Sequence, residues 1–134
     1  MKTLFLFFFA LCSPLFAAKP PNIVIILADD LGYGDLACYG NAKIKTPHLD
    51  RMAVEGAKLT QFDCPASFCA PTRASLMTGR YPFRCGMTQN PAPDGGPAAD
   101  ALALPKSEVT LAQMMKLAGN ATGTVGKWPG PCKR

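Results

Sequence analysis

Two short stretches hold most of the side chains with chemical potential. "ILADDLGYG" places adjacent carboxylates at Asp29 and Asp30, and "CAPTRASLMTG" places a thiol at Cys69 and a guanidinium at Arg73. Paired aspartates are hard oxygen ligands of the kind Ca²⁺ or Mg²⁺ takes, and they suit a turn equally well, because aspartate readily bonds the backbone just after it. Cys69 precedes Pro71, whose fixed φ fits the first turn of a helix, so the sulfur lies at or just before a helix N-terminus with Arg73 one turn along. Such a place is positive and favours an anion. An unmodified Cys69 there is open to three readings: a nucleophile, a buried side chain or a disulfide partner. The single histidine, His48, falls inside a separate predicted helix and gives no evident base for a Cys–His pair.

The elements that must position these residues follow from pattern. "NIVIILA" (22–28) is a continuous, largely β-branched run that suits a strand buried on both faces of a parallel sheet, so Asp29 and Asp30 sit where strand becomes loop. Ligands of open α/β sheets bind beyond such carboxyl ends. Thr46 and Pro47 read as N-cap and first helical residue, with Leu49, Met52 and Ala53 apolar and Gly56 as the stop. "AKLTQFDC" (57–64) reads as a strand carrying Leu59 and Phe62. "TRASLMT" continues the helix of Pro71 to a left-handed stop at Gly79. "QNPAPDGGPAADALALP" (89–105) is a Pro/Gly/Ala-rich surface connection. "SEVTLAQMMKLAGN" returns to helix with Leu111, Met114, Met115 and Ala118 on one stripe, ending at Gly119, and "ATGTVGKW" (121–128) is the next strand. Alternating strand and helix predicts an α/β fold with a mostly parallel sheet.

Taken together these stretches resemble the type I sulfatases. "CAPTRASLMTGRYP" contains Cys-x-Pro-x-Arg followed by Ala-Ser-Leu-Met-Thr-Gly, and it is accompanied in order by "PNIVIILADDLGYGDL", "TPHLDRMAVEGAKLTQFDC" and "TLAQMMKLAGNATGTVGKW", covering nearly all of Pro21 to Trp128. The resemblance implies an alkaline-phosphatase-like α/β/α sandwich of which the N-terminal part is present. It implies that a separate maturation enzyme oxidises Cys69 to Cα-formylglycine, whose hydrate offers one hydroxyl to attack a sulfate sulfur and a second through which the aldehyde re-forms. Asp29 and Asp30 would then ligate a divalent ion, usually Ca²⁺ with Mg²⁺ as the alternative, which also holds the hydroxyl at position 69. Arg73 would steady that hydroxyl and Lys127 would contact the sulfate, cations matched to the charge of a transferring sulfuryl group. His48 stands where the family usually has asparagine, so the resemblance gives it no catalytic role and it reads as a helix-surface residue.

The match stops after Trp128. Sulfatases commonly continue from Gly-Lys-Trp into His-Leu-Gly, whereas this chain reads "GKWPGPCKR", and the family's later Asp-Asn pair, second histidine and site lysine have no counterpart. The expectation is therefore a leader at 1–18, the N-terminal part of a sulfatase catalytic domain at 19–128 and a divergent tail at 129–134, a truncated form with little or no activity by itself. The leader has a basic start, an apolar run from Leu4 to Leu11 and small residues at Ala17 and Ala18, the pattern of a cleaved signal peptide. The run is too short to span a bilayer, which takes ~20 apolar residues, so a secreted or periplasmic product without stable membrane insertion is expected.

Composition narrows the classes further. The 134 residues are 49% hydrophobic and 17% charged, with 13 prolines and 12 glycines, a globular balance rather than a disordered one. A formal charge of +5 is spread along the chain without a basic stripe or aromatic platform, so no nucleic-acid partner is expected. Removing the leader leaves Cys38, Cys64, Cys69, Cys85 and Cys132; if Cys69 stands apart, the other four allow two bridges in three pairings, or none. The expected substrate is a sulfate ester, either a small molecule or a sulfated saccharide. Two other readings compete: a phosphatase or phosphodiesterase of the same superfamily, and a non-catalytic secreted remnant.

Overall fold

The computed structural model describes residues 21–91 and 101–128. The predicted leader, most of the 89–105 connection and the 129–134 tail lie outside the described residues.

Four helices and one 3₁₀ turn form among them. The turn at Ala37–Tyr39 ends at Gly40, whose φ of 105° is open to glycine and costly to other residues. Helix α1 (Pro47–Glu55) starts behind Thr46 and stops at Gly56, as its sequence predicts. Thr46 does not cap α1 through its hydroxyl. That oxygen instead accepts from the Ala37 N–H at 3.0 Å and donates to Asp50 Oδ1 at 2.9 Å, while the same Asp50 oxygen takes the Cys38 N–H at 2.8 Å. One carboxylate on α1 thus satisfies the 3₁₀ turn packed beside it.

Helix α2 (Cys69–Thr78) begins at the cysteine itself and ends at Gly79, φ 66°, as predicted. A four-residue helix, α3 (Pro82–Cys85), follows and ends on Gly86. Ala70 and Ala74 of α2, Cys85 of α3 and Met87 just beyond it form the buried cluster, with Leu104 packed against it and Pro71 also fully buried. Small residues on α2 let α3 approach closely, and that contact fixes the orientation of the Cys69 turn. Helix α4 (Leu111–Leu117) starts later than the sequence suggests, at a capping box. Thr110 Oγ1 accepts from the Gln113 N–H, and the Gln113 side chain accepts from the Thr110 N–H. Arg80 Nη1 bonds both oxygens of Glu108, at 2.7 and 3.0 Å, and ties the end of α2 to the approach to α4.

The predicted strands are not formed. Among the described residues 22–28, 57–64 and 121–128 carry no ladder, and the parallel sheet expected from the sequence is absent. The first and third segments instead line a common cavity of about 360 Å³, floored by Leu76 and Met77 of α2 and Leu111 and Met115 of α4. A strand is held by a neighbour about 4.8 Å away that accepts its hydrogen bonds, and among the described residues neither segment has such a ladder partner. Their side chains remain in water: Val24 is 82% and Ile26 83% exposed. The predicted stripe on α4 is likewise only half used, with Leu111 and Met115 turned inward and Met114 exposed.

Cys38, Cys64, Cys69 and Cys85 are all free thiols. Cys85 is buried in the α2–α3 cluster, its sulfur 3.6 Å from the Pro82 carbonyl, and acts as a small apolar side chain rather than a bridge partner. No helix among the described residues is long and apolar enough to cross a membrane.

Candidate functional site

Cys69 occupies the first position of α2, and Arg73 follows four residues later on the same face. The guanidinium is held at two points. Its Nη2 donates to Asp29 Oδ1 at 3.0 Å and its Nη1 to the Lys127 carbonyl at 3.1 Å, with only 12% of the side chain exposed. Nε is buried and has no acceptor. A buried donor left unpaired costs about 1–3 kcal/mol, so this N–H is a standing invitation to an acceptor atom.

Lys127 completes the arrangement from the far end of the chain. Its Nζ donates to Asp29 Oδ2 at 2.8 Å, so one carboxylate carries both cations, one on each oxygen. The Lys127 ammonium, and then the Arg73 guanidinium, hold the Asp29 carboxyl below the usual carboxylate range. Asp29, with the Cys69 side chain as second contributor, holds the Lys127 ammonium above the ordinary lysine value. Residues 29, 69, 73 and 127 therefore meet. They come from the loop after the first apolar run, the first turn of α2 and the loop before Trp128. Arg73 and Lys127 also form part of the wall of the 360 Å³ cavity.

Asp30 is the one predicted site residue that stands apart. It is exposed and has a φ of 55°, a left-handed backbone that aspartate tolerates better than most residues. The loop beyond it is closed by Asp35, whose Oδ2 accepts the Gly32 N–H at 2.7 Å. A Cβ at Gly32 would stand 3.0 Å from that oxygen, so a larger residue there requires the Asp35 carboxylate to give by a few tenths of an ångström. His48 lies exposed on α1, a surface residue as its sequence context indicates.

Asn90 was not among the residues singled out from the sequence. Its Oδ1 lies 3.0 Å from the Ala70 N–H and 3.5 Å from Cys69 Sγ. The available signal was negative: Phe68, at the N-cap, has no side-chain oxygen, so the first N–H groups of α2 had to find an acceptor elsewhere.

The class of protein so defined sets a helix-borne sulfur among two cations and a carboxylate, at loops that flank unpaired apolar segments. A sulfatase family model matches residues 21–131, and the chain belongs to the sulfatase family. It is 50% identical over 120 residues to the steryl-sulfatase of Mus musculus, a match covering 84% of this chain and 18% of that protein. It is 48% identical over 122 residues to the arylsulfatase A of Homo sapiens, covering 89% of this chain and 23% of that protein. With human arylsulfatase D the identity is 47%, over 87% of this chain and 20% of the relative. The chain thus spans about a fifth of the length of these relatives. The family implies the alkaline-phosphatase-like α/β fold and generally uses a formylglycine and a divalent metal.

The described residues do not by themselves make the metal shell. Asp29 and Asp30 have the hard-oxygen chemistry that Ca²⁺ or Mg²⁺ takes, but Ca²⁺ needs ~6–8 oxygens. Among the described residues no three His, Cys, Asp or Glu side chains converge, and both Asp29 oxygens are engaged by cations.

Proposed function

We propose that this chain carries the nucleophile-bearing part of a sulfuric ester hydrolase site of arylsulfatase type, with Cys69 matured to Cα-formylglycine. The observation that carries the reading is the meeting of Arg73, Lys127 and Asp29 around the first residue of α2, within the Cys-x-Pro-x-Arg signature. When hydrated, the aldehyde supplies one hydroxyl to attack sulfur and a second whose deprotonation releases the sulfate.

The chain's own residues have distinct tasks. Arg73 is braced by Asp29 and by the Lys127 carbonyl, so its guanidinium is fixed before any substrate arrives and its Nε–H is left to give. Lys127, beside the Cys69 side chain, places a positive charge where a sulfuryl group would build negative charge. Asp29 and Asp30 are the carboxylate share of the divalent-cation shell. A divalent ion held there would supply further positive charge toward the sulfate oxygens, and Arg73 and Lys127 would be the chain's own cations facing the sulfate. The relatives' names, steryl-sulfatase and arylsulfatase, favour sulfate esters over the phosphatase alternative. A sulfate ester of an aromatic or steroid alcohol, or of a sugar, is the substrate class. Secretion or periplasmic export, with removal of the leader at 1–18, supplies the compartment. Because two carboxylates do not complete a Ca²⁺ shell, the chain alone turns over little or no substrate.

The deciding experiment is co-expression with a formylglycine-generating enzyme, followed by mass analysis of the tryptic peptide Leu59–Arg73. Replacement of CH₂SH by CHO at residue 69 is expected. A thiol that persists under conditions that convert a control sulfatase would overturn the reading.

A further inference from the structure

We propose that Asn90 is a positioning residue for the side chain at position 69. It serves at once as the missing cap of α2 and as the acceptor that orients the nucleophile. Helix α2 starts without a capping side chain at Phe68, and the Asn90 carboxamide fills that gap from 20 residues beyond Ala70. The Ala70 N–H can only donate, so the atom facing it at 3.0 Å must be the amide oxygen, and the same oxygen lies 3.5 Å from Cys69 Sγ. One acceptor therefore holds the backbone of the first helical turn and the functional side chain in a fixed relation. Lys127, a donor, approaches the same side chain as the cation. Position 69 is thus set between a donor that favours negative charge and an acceptor that takes a proton-bearing group.

The consequence for the oxidised form rests on the proposed function. Hydration adds water across the formylglycine C=O, the water oxygen bonding to carbon and one proton passing to the carbonyl oxygen, so the product carries two O–H donors where the aldehyde has none. Asn90 Oδ1 accepts from one of them and so favours the hydrate, leaving the other hydroxyl on the Lys127 side. Asn90 is itself exposed, and water competes for its oxygen. The preference is therefore modest, about fivefold, as expected for one neutral hydrogen bond.

The test uses the full chain in both forms. The infrared S–H stretching band of Cys69, isolated by subtracting the spectrum of Cys69→Ser, should move to higher frequency in Asn90→Leu and should not do so in Asn90→Asp, whose carboxylate keeps an acceptor oxygen at that position. A purely structural cap would lower the thermal midpoint of Asn90→Leu and leave the band unmoved, and that result would overturn the proposal. In protein matured at residue 69 with ¹³C-labelled cysteine, the hydrate-to-aldehyde ratio read by NMR should fall about fivefold in Asn90→Leu and be retained in Asn90→Asp; an unchanged ratio would equally overturn it. If mass analysis finds only thiol, the sulfatase reading fails and the S–H band alone decides the role of Asn90.

Discussion

Asp29 holds two cations, one on each carboxylate oxygen, so removing that single charge releases both. Asn at this position keeps the shape and loses the attraction, which gives a prediction with a defined pH window. The Asp29 carboxyl lies below its ordinary value of 3.8, so its contribution to stability is present above that pH and is lost as pH falls through the lower folded value. Lys127 lies above its ordinary 10.5, so its contribution is complete below 10.5 and is lost as pH rises through the higher folded value. The thermal midpoint of Asp29→Asn, measured without added divalent cation, should lie below that of the parent between those limits. The two should converge in acid only once pH has fallen through that lowered folded value, where both side chains at position 29 are neutral. The deficit should be small and shrink with salt, because the Asp29 and Lys127 side chains are 40% and 53% exposed. A midpoint difference that persists unchanged at pH 2 would assign the effect to shape rather than charge. Arg73→Lys should also weaken the link, since a single ammonium cannot reproduce two parallel donors aimed at Asp29 and at the Lys127 carbonyl. In the matured enzyme of the proposed function, it should lower kcat more than it raises KM for an aryl sulfate.

Among the elements, α2 carries the site and the α2–α3 cluster carries α2. Met87 is fully buried against Ala74 and Cys85, so Met87→Ala should cost about 2–5 kcal/mol through lost contacts and an unfilled cavity. Denaturant unfolding would measure it, and a loss below about 1 kcal/mol would mean that Leu104 or a neighbour collapses into the space. Gly79 ends α2 at φ 66°, and Gly79→Ala should cost about 1–2 kcal/mol because a Cβ is disfavoured in the left-handed region. Nothing lies within 4 Å of a Cβ built there, so the cost is conformational and not steric crowding by neighbours. Thr110→Ala removes one half of the α4 capping box and should cost about 1 kcal/mol by the same assay.

At the scale of the whole molecule the dominant feature is apolar surface that the described residues leave in water. Val24 and Ile26 are more than four-fifths exposed, and Ile23, Ile25 and Val125 are exposed beside them. Unpaired, β-branched backbone of this kind offers a template for pairing with another chain. The purified chain should therefore enhance the fluorescence of a hydrophobic dye and associate with increasing concentration. Val24→Ser combined with Ile26→Ser should reduce both. Light scattering that is unaffected by the pair would place the sticky surface elsewhere.

The sequence by itself determined the helix limits and the residue types that meet at the candidate site. Pro47, Pro71, Gly56, Gly79 and Gly119 mark helix limits through their own backbone restrictions, which need no distant partner, and the Cys-x-Pro-x-Arg run places a sulfur and a guanidinium on one helical face by spacing alone. Only the tertiary structure decided that Asp29 takes both Arg73 and Lys127, and that Asn90 reaches back to the first turn of α2. Those contacts join residues 20 to 98 positions apart, and local pattern holds no information on such closure. The strands mark the limit from the other side. β-Branched runs express a preference for pleated, buried surroundings, but a strand exists only where a neighbour accepts its hydrogen bonds, and among the described residues none does so for these runs.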